Sequence, residues 1–233
     1  MNEPENGEAN AAEPMEEMLD WTRIDTVLLD MDGTLLDLDF DNTLWNHRLP
    51  ERYAEQKRIS QDDARTHLFA HMRENRTRLE FYCLDYWARY TQLDIVALHV
   101  ELSHLIRYRP HAEPFLAALE RGGKRLVMVT NAHRMSLSIK DARTGVVARL
   151  HRAVSSHDFA VPKERTEFWA RLGAVEPFDP ERTLLIDDNA DVLDSAAAHG
   201  IAHLRTIAQP DSARPPRTGL RHPAIESFAE IMP

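Results

Sequence analysis

TVLLDMDGT, residues 26–34, combines an apolar, β-branched run with two aspartates, a glycine and a threonine. The run at residues 26–31 is typical of a buried strand. Side chains alternate along a strand, so Asp30 and Asp32 are expected on the same side where the chain leaves the sheet. Neighbouring carboxylates repel each other unless a cation lies between them or one is protonated. The segment therefore predicts a buried strand that ends in a charged site.

The rest of the chain alternates between short apolar runs and amphipathic helical stretches. The runs are residues 125–130, 152–155, 183–187 and 202–207, and the helical stretches are residues 113–121, 135–144, 164–172 and 190–199. Each helical stretch is followed by a glycine, which ends a helix without a Cβ clash. This alternation predicts an α/β fold, with a Rossmann-like parallel sheet covered by helices on both faces.

One interval interrupts the alternation. Residues 38–109, between the first two strands, are helical in pattern, with a Ser60/Asp63 capping box and Asp94 before another helix. An insert there emerges at the carboxyl edge of the sheet, where ligands of open α/β sheets bind. We expect a core domain of residues 21–37 and 110–233, and a helical cap of residues 38–109 that covers the site.

Polar residues also follow the other strands. Asp187 and Asp188 end the fourth strand, and Thr130 and Asn131 end the second. Acids converging without Cys or His describe an oxygen-rich site for a hard cation, and Mg²⁺ suits one that leaves room for water and phosphate. Lys163 follows Pro162 at a predicted helix start, where a cation and the helix end both favour an anion.

These segments in this order resemble the haloacid dehalogenase (HAD) superfamily, and the insert resembles its C1 helical cap. The matching segments are DMDGT at 30–34, VTNA at 129–132, PKE at 162–164 and LLIDDN at 184–189. The resemblance implies that Asp30 attacks phosphorus and that Asp32 is the general acid and base. An acid at position 32 favours phosphate chemistry over dehalogenation.

The resemblance also implies the remaining site residues. Thr130, Asn131 and Lys163 would hold the phosphoryl oxygens, with Thr130 and Lys163 neutralising their charge. Mg²⁺ would be the cofactor. Its ligands would be the Asp30 carboxylate, the Asp32 backbone carbonyl and the final acidic pair, with Asp188 direct and Asp187 through water.

Further segments resemble one branch of the superfamily, the bacterial GMP/IMP nucleotidase-type phosphatases. They include FYCLDYW at 81–87, TNAH at 130–133 and RHPAI at 221–225. The resemblance implies a Mg²⁺-dependent 5′-nucleotidase that hydrolyses purine nucleoside monophosphates through an aspartyl-phosphate. Two alternatives stay open: a phosphatase for sugar phosphates or other small organophosphates, and a non-catalytic phosphate-binding module.

Composition excludes several classes of protein. The net charge is -10, and residues 1–20 hold seven acids and no Lys or Arg, which predicts a disordered acidic tail. Without a basic stripe, nucleic acid is not an expected ligand. No apolar run is long enough to span a bilayer and no signal sequence is evident, so we expect a cytoplasmic protein. The oligomeric state is left open.

The predicted cap is rich in aromatic and histidine residues. Its aromatic residues, which could stack a purine, are Trp45, Phe81, Tyr82, Tyr86 and Trp87. Helical spacing makes a core role the stronger expectation for any one of them. His67 and His71 lack a third ligand nearby in sequence and are expected to be surface residues or to pack in the cap. His133, close to Thr130, is expected beside the site.

Overall fold

The computed structural model describes residues 19–233, so the predicted acidic tail lies outside the described residues apart from Leu19 and Asp20. The described chain contains a sheet of parallel strands in the order β3-β2-β1-β4-β5-β6. The strands are β1 (Thr26–Leu29), β2 (Arg125–Thr130), β3 (Arg152–Ser155), β4 (Thr183–Ile186), β5 (His203–Ile207) and β6 (Ala224–Ile225). The predicted parallel α/β sheet is confirmed.

The register of β1 brings the carboxyl ends of three strands together. Leu29, the last residue of β1, is opposite Met128 of β2 and Ile186 of β4. Asp30 and Asp187 therefore leave the sheet side by side, and β1 lies between β2 and β4. The charged residues that the sequence predicts at the ends of separate strands therefore lie at one edge of the sheet.

Strand alternation divides the core between the two faces of the sheet. Val27 and Leu29 of β1 pack into one apolar cluster, whereas Leu28 packs into a second cluster. The first cluster also contains Trp87 from the insert and Phe115 from the core. The apolar interior therefore continues from the sheet into the inserted segment.

Helices of the insert lie between β1 and β2. They are α1 (Asp39–Thr43), a π-helical turn (Leu44–Arg48), α2 (Leu49–Lys57), α3 (Gln61–Asn75), α4 (Leu84–Thr91) and α5 (Ile95–Glu101). The Ser60 hydroxyl accepts a hydrogen bond from the backbone N–H of Asp63, and Asp94 accepts one from Ala97. Both predicted helix starts are therefore confirmed, and we refer to α1–α5 as the inserted helices.

Four further helices cover the sheet. They are α6 (Ala112–Arg121), α7 (Arg134–Thr144), α8 (Thr166–Val175) and α9 (Ala190–His199). Gly145 and Gly200 take left-handed conformations at the ends of α7 and α9, with φ of 65° and 102°, as expected. In residues 19–233, no helix has the length and apolar character needed to cross a membrane.

Two boundary expectations were wrong. Gly173 does not end α8, which continues to Val175, because the chain turns inward only at the buried Glu176, which pairs with Arg125 and Arg152. The predicted helix start beside Lys163 is also wrong, since α8 begins three residues later, at Thr166. β6, with two residues, is too short for sequence periodicity to reveal.

Candidate active site

Three carboxylates converge at the carboxyl edge of the sheet. Asp30 follows β1, and Asp187 and Asp188 follow β4; one oxygen of each lies within 4.8 Å of the others. Asp30 and Asp187 are 6% and 1% exposed. Desolvation and mutual repulsion both oppose such a cluster, so it requires positive charge close by.

Lys163 supplies part of that charge from inside the protein. Its ammonium group donates hydrogen bonds to Asp30 Oδ1 at 2.5 Å, Asp187 Oδ2 at 2.6 Å and the Val129 carbonyl at 3.0 Å. Burial alone would lower the pKa of Lys163, but Asp187 and Asp30 raise it above its ordinary value. Lys163 is therefore a fixed cation between the ends of β1 and β4.

A second buried lysine, Lys140 of α7, contacts the other aspartate of the β1 end. Its Nζ lies 2.6 Å from Asp32 Oδ1, and 2.7 and 2.9 Å from the two carboxylate oxygens of Asp41. Nζ also lies 5.1 Å from the centroid of the Phe40 ring. Because Asp41 belongs to α1, this lysine joins the core to the inserted helices.

The acids of the site resist ionisation. Burial, opposed by Lys163, raises the pKa of Asp30 to about 7 and that of Asp187 to about 6. Burial and the nearby Asp41 raise the pKa of Asp32 to about 6. Burial and Asp30 raise the pKa of Asp188 to about 7. A carboxyl group titrating near neutral pH can both donate and accept a proton during one catalytic cycle.

Gly33 is required by the backbone geometry of the site. Its φ is +81°, and a Cβ at this position would lie 2.8 Å from Cγ of Asp188. A side chain would therefore strain the backbone and displace one of the converging carboxylates. This close approach explains why a glycine follows the second aspartate.

Thr130 and Asn131 lie beside this cluster at the end of β2. The Thr130 hydroxyl accepts a hydrogen bond from the Ala132 N–H, so its own proton remains available to a ligand. Asn131 accepts a hydrogen bond from the Lys163 N–H at 3.0 Å and donates one to Glu164 at 3.0 Å. Asn131 thus holds the Lys163 backbone in position.

Glu164 links three segments of the site. Its carboxylate accepts hydrogen bonds from Asn131, from Asn189 at 3.2 Å and from the Tyr82 hydroxyl at 2.7 Å. Tyr82 belongs to the inserted segment, whereas Asn189 caps α9. The strand ends and the insert are therefore joined by one partly buried hydrogen-bond network.

A cavity of about 470 Å³ lies between the strand ends and the inserted helices. Asp30, Asp32, Lys163 and Thr130 line its polar end. Side chains from the insert also line it, among them Trp45, Met72, Phe81, Tyr82, Trp87 and His99. The cavity therefore combines a charged end, suited to an anionic group, with an aromatic region for an apolar or planar group.

The aromatic residues named from the sequence divide into two groups. Trp45, Phe81 and Tyr82 line the cavity and are partly exposed. Trp87 also borders it but is 1% exposed, and Tyr86 packs against His71, with ring centroids 5.8 Å apart. The expected core role therefore describes Trp87 and Tyr86 better than the other three.

The histidine expectations are confirmed for the insert. His67 stacks between Tyr53 and Tyr90, and His71 stacks on Tyr90 with ring centroids 3.7 Å apart. They pack within the insert and do not line the cavity. His133, by contrast, lines the cavity close to Thr130.

The donor set at the strand ends fits a hard divalent cation. Asp30, Asp187 and Asp188 offer only oxygen, and a cation would offset both the burial and the mutual repulsion that raise the pKa of all three. Arg217 lies 3.8 Å from the Asp188 carboxylate and donates a hydrogen bond to its carbonyl at 2.9 Å. These residues can hold Mg²⁺.

Sequence reasoning missed Lys140 and Glu164. Lys140 is three residues after the buried Leu137 on α7, so a lysine on the apolar face of a helix was a usable signal. Glu164 adjoins Lys163, but its three hydrogen bonds depend on tertiary structure. The sequence carried no comparable signal for it.

Comparisons with known proteins agree with this geometry. Residues 24–200 match the family model described as haloacid dehalogenase-like hydrolase. The chain is 37% identical over 213 residues to the GMP/IMP nucleotidase YrfG of Escherichia coli (strain K12), covering 91% of this chain and 96% of that protein. The protein of the same name from Shigella flexneri matches equally.

Solved structures share the fold. The crystal structure of a HAD phosphatase from Thermococcus onnurineus has a TM-score of 0.75 at 18% identity, covering 89% of this chain and 95% of that one. A predicted phosphoglycolate phosphatase from Haemophilus somnus 129PT has a TM-score of 0.65 at 14% identity, with coverage of 90% and 96%. The chain belongs to the haloacid dehalogenase-like hydrolases, and within that family it is a phosphoric monoester hydrolase.

Proposed function

We propose that this phosphatase is a Mg²⁺-dependent 5′-nucleotidase that hydrolyses the purine monophosphates GMP and IMP to nucleoside and phosphate. The observation that carries the proposal is the cavity that joins Asp30, Asp32 and Lys163 to an aromatic wall. The 37% identity to a GMP/IMP nucleotidase over nearly the whole chain supports the same substrates. We also propose a cytoplasmic location for this enzyme.

Asp30 would act as the nucleophile. Its carboxylate would attack phosphorus in line with the departing 5′-oxygen, forming an aspartyl-phosphate that water then hydrolyses. The hydrogen bond from Lys163 supports this role because it keeps the carboxylate oriented, and the lysine charge favours the ionised form against the effect of burial. The attack therefore uses a group that is positioned before the substrate arrives.

Asp32 would act as the general acid and then as the general base. It would protonate the leaving 5′-oxygen and later take a proton from the attacking water. Its pKa of about 6 supports both steps, since each protonation state is then accessible near neutral pH. Lys140 would act as a positioning residue, because its hydrogen bond fixes one oxygen of Asp32.

Thr130, Asn131 and Lys163 would bind the phosphoryl oxygens. The Thr130 hydroxyl proton and the second amide hydrogen of Asn131 are the available donors. The three N–H groups of the Lys163 ammonium already donate within the protein, so Lys163 would contribute its positive charge. Mg²⁺ held by Asp30, Asp187, Asp188 and the Asp32 carbonyl would offset the negative charge on the phosphoryl group. Together these groups would supply the charge neutralisation that phosphoryl transfer demands.

The inserted segment would recognise the rest of the substrate. We propose that residues 38–109 form a cap over a core of residues 21–37 and 110–233. Partly exposed Trp45 and Phe81 on the cavity wall can stack a base, which typically contributes ~1 to 3 kcal/mol. Excluding water from the phosphoryl group would be a second role of the cap.

The test is phosphate release from nucleoside monophosphates and sugar phosphates, with and without Mg²⁺. We expect preferential, Mg²⁺-dependent release from GMP and IMP, and none with Asp30→Asn, which replaces the nucleophile without changing its size. Activity limited to sugar phosphates would keep the mechanism and contradict the substrate class. Undiminished activity of Asp30→Asn would contradict the nucleophile assignment.

A further inference from the structure

Cys83, His133 and His157 form a cluster that the proposed mechanism does not use. Cys83 immediately precedes α4, His133 caps α7, and His157 lies in the turn after β3. One metal-binding atom of each lies within 4.8 Å of the others. The cluster therefore spans the contact between the inserted helices and the core.

Its chemistry differs from that of the acidic cluster. A thiolate and two imidazoles suit Zn²⁺ and similar transition metals, whereas the oxygen donors at the strand ends suit Mg²⁺. Three protein ligands and one water are a common zinc arrangement. Bonds of about 2.0–2.3 Å place the ligand atoms of a tetrahedral site roughly 3.3–3.8 Å apart. Small side-chain rotations would therefore close this cluster around an ion.

One histidine nitrogen of the cluster lacks the hydrogen-bond partner that a buried polar atom normally has. Nε2 of His157 is buried, and within residues 19–233 it has no hydrogen-bond partner. Leaving such an atom unpaired costs about 1–3 kcal/mol. A metal ion on this nitrogen would remove that penalty.

The surroundings of His133 are compatible with a cation. The rings of His133 and His157 meet edge to face, with centroids 5.0 Å apart. The Asp85 carboxylate, 3.8 Å from Nε2 of His133, adds negative charge. Nδ1 of His133 accepts a long 3.3 Å hydrogen bond from the Met135 N–H. Ligation through Nε2 would place the ring proton on Nδ1 and exchange that weak bond for a metal bond.

We propose that Cys83, His133 and His157 bind one divalent transition metal of the Zn²⁺ class, with water as the fourth ligand. Binding releases the Cys83 thiol proton to solvent and forms one metal–sulfur and two metal–nitrogen bonds. Because Cys83 lies on the insert and both histidines lie on the core, the ion ties α4 to the core. The tie lies beside the cavity, which His133 lines.

The test is titration of the full chain with Co²⁺ in the presence of excess Mg²⁺, followed by near-ultraviolet absorption. We expect a thiolate-to-cobalt charge-transfer band that saturates at one equivalent. Cys83 is the one cysteine of the chain, so the band must vanish in Cys83→Ser. We also expect His157→Gln to weaken Co²⁺ binding at least tenfold. Asp187→Asn, which alters the acidic site, must leave the band unchanged.

Two results would overturn the proposal. One is the absence of the band in a wild-type protein whose melting temperature still rises with Mg²⁺. The other is a band that persists in Cys83→Ser. This test measures binding and needs no substrate, so its failure is distinguishable from failure of the nucleotidase proposal.

The metal link between α4 and the core can be measured separately, by hydrogen exchange. Zn²⁺ should slow amide hydrogen exchange in residues 79–91 of the wild type, and leave exchange in Cys83→Ser unchanged. Because Cys83→Ser differs by one atom, the comparison isolates the metal–sulfur bond. Equal exchange with and without Zn²⁺, in a wild-type protein that shows the cobalt band, would contradict the tie.

Discussion

Lys163 and Lys140 are both fully buried, and each contacts one of the two aspartates that follow β1. Lys163 joins Asp30 to Asp187. All three residues lie in segments that follow strands of the sheet. Lys140 joins Asp32 to Asp41, so it connects the β1 end to an inserted helix. We refer to these as the Lys163 region and the Lys140 region.

The difference suggests a division of work within one site. The Lys163 region contains the proposed nucleophile and metal ligands, which act on the phosphoryl group of any substrate. The Lys140 region contains the proposed general acid, which acts on the leaving group, and it contacts the segment proposed to read that group. Lys163 would then support the steps at the phosphoryl group, which all substrates share. Lys140 would support protonation of the leaving group, which differs between substrates.

The largest effect is expected for Lys163→Met. Removing one preorganised donor from a charge-stabilising site lowers kcat by about 10² to 10³-fold, and here Asp30 and Asp187 also lose their counter-charge. Turnover of GMP and of p-nitrophenyl phosphate should fall together, because both share the phosphoryl group. Steady-state kinetics with both substrates provides the measurement. A loss limited to GMP would contradict the division between the regions.

A pH effect on stability is expected next, in the Lys140 region. Burial lowers the pKa of His99 to about 4, and the ring packs on Phe40, which also contacts Lys140. The unfolded chain has a histidine pKa near 6.5, so it binds more protons between about pH 6.5 and 4. His99 alone should therefore lower the unfolding free energy by roughly 3 kcal/mol as the pH falls through this window, whereas carboxyl groups with raised pKa values, such as those of Asp30 and Asp188, act in the opposite direction.

Urea denaturation across this pH window tests the effect, with His99→Asn as the matched control. Asparagine retains a donor for the Ile95 carbonyl, which accepts from His99 at 2.8 Å, but it does not titrate. The unfolding free energy of the variant should therefore rise relative to that of the wild type, by roughly 3 kcal/mol, as the pH decreases through this window. An identical slope in both proteins would show that His99 is not the group responsible.

Mg²⁺ should raise the thermal stability of the protein by binding in the Lys163 region and not in the Lys140 region. At about 100 times its Kd, a ligand stabilises a protein by about 2.7 kcal/mol, or roughly 5–10 °C for a chain of this size. Asp188→Asn should reduce that shift to less than half, whereas Asp41→Asn should preserve it. Thermal melts monitored by circular dichroism provide the measurement. Equal loss in both variants would mean that the two regions share the metal.

Sequence alone was sufficient for strands β1–β5 of the sheet and for the placement of the Lys163 region. Asp30, Lys163 and Asp187 each follow a strand, and parallel strands bring their ends to one edge. Proximity in space therefore followed from topology. The buried alternation of Val27, Leu28 and Leu29 between two clusters is also what a central strand predicts.

The Lys140 region could not be predicted in the same way. Its contact with Asp41 joins residues 99 positions apart on two helices, and it depends on how the insert packs against α7. The Cys83 cluster has the same origin, because its members come from three separate elements. The end of α8 was predicted wrongly for a similar reason, since this helix ends where Glu176 contacts two arginines of the sheet.

The division between the two regions is tested most directly by kcat/KM of Lys140→Met for GMP and for p-nitrophenyl phosphate. Nitrophenolate leaves without needing a proton, whereas the 5′-oxygen of a nucleoside requires a general acid. If Lys140 positions Asp32, kcat/KM for GMP should fall by about 10²-fold or more, the usual contribution of such an acid, with less than about a threefold change for p-nitrophenyl phosphate. Equal losses on both substrates would contradict the assignment of leaving-group chemistry to the Lys140 region.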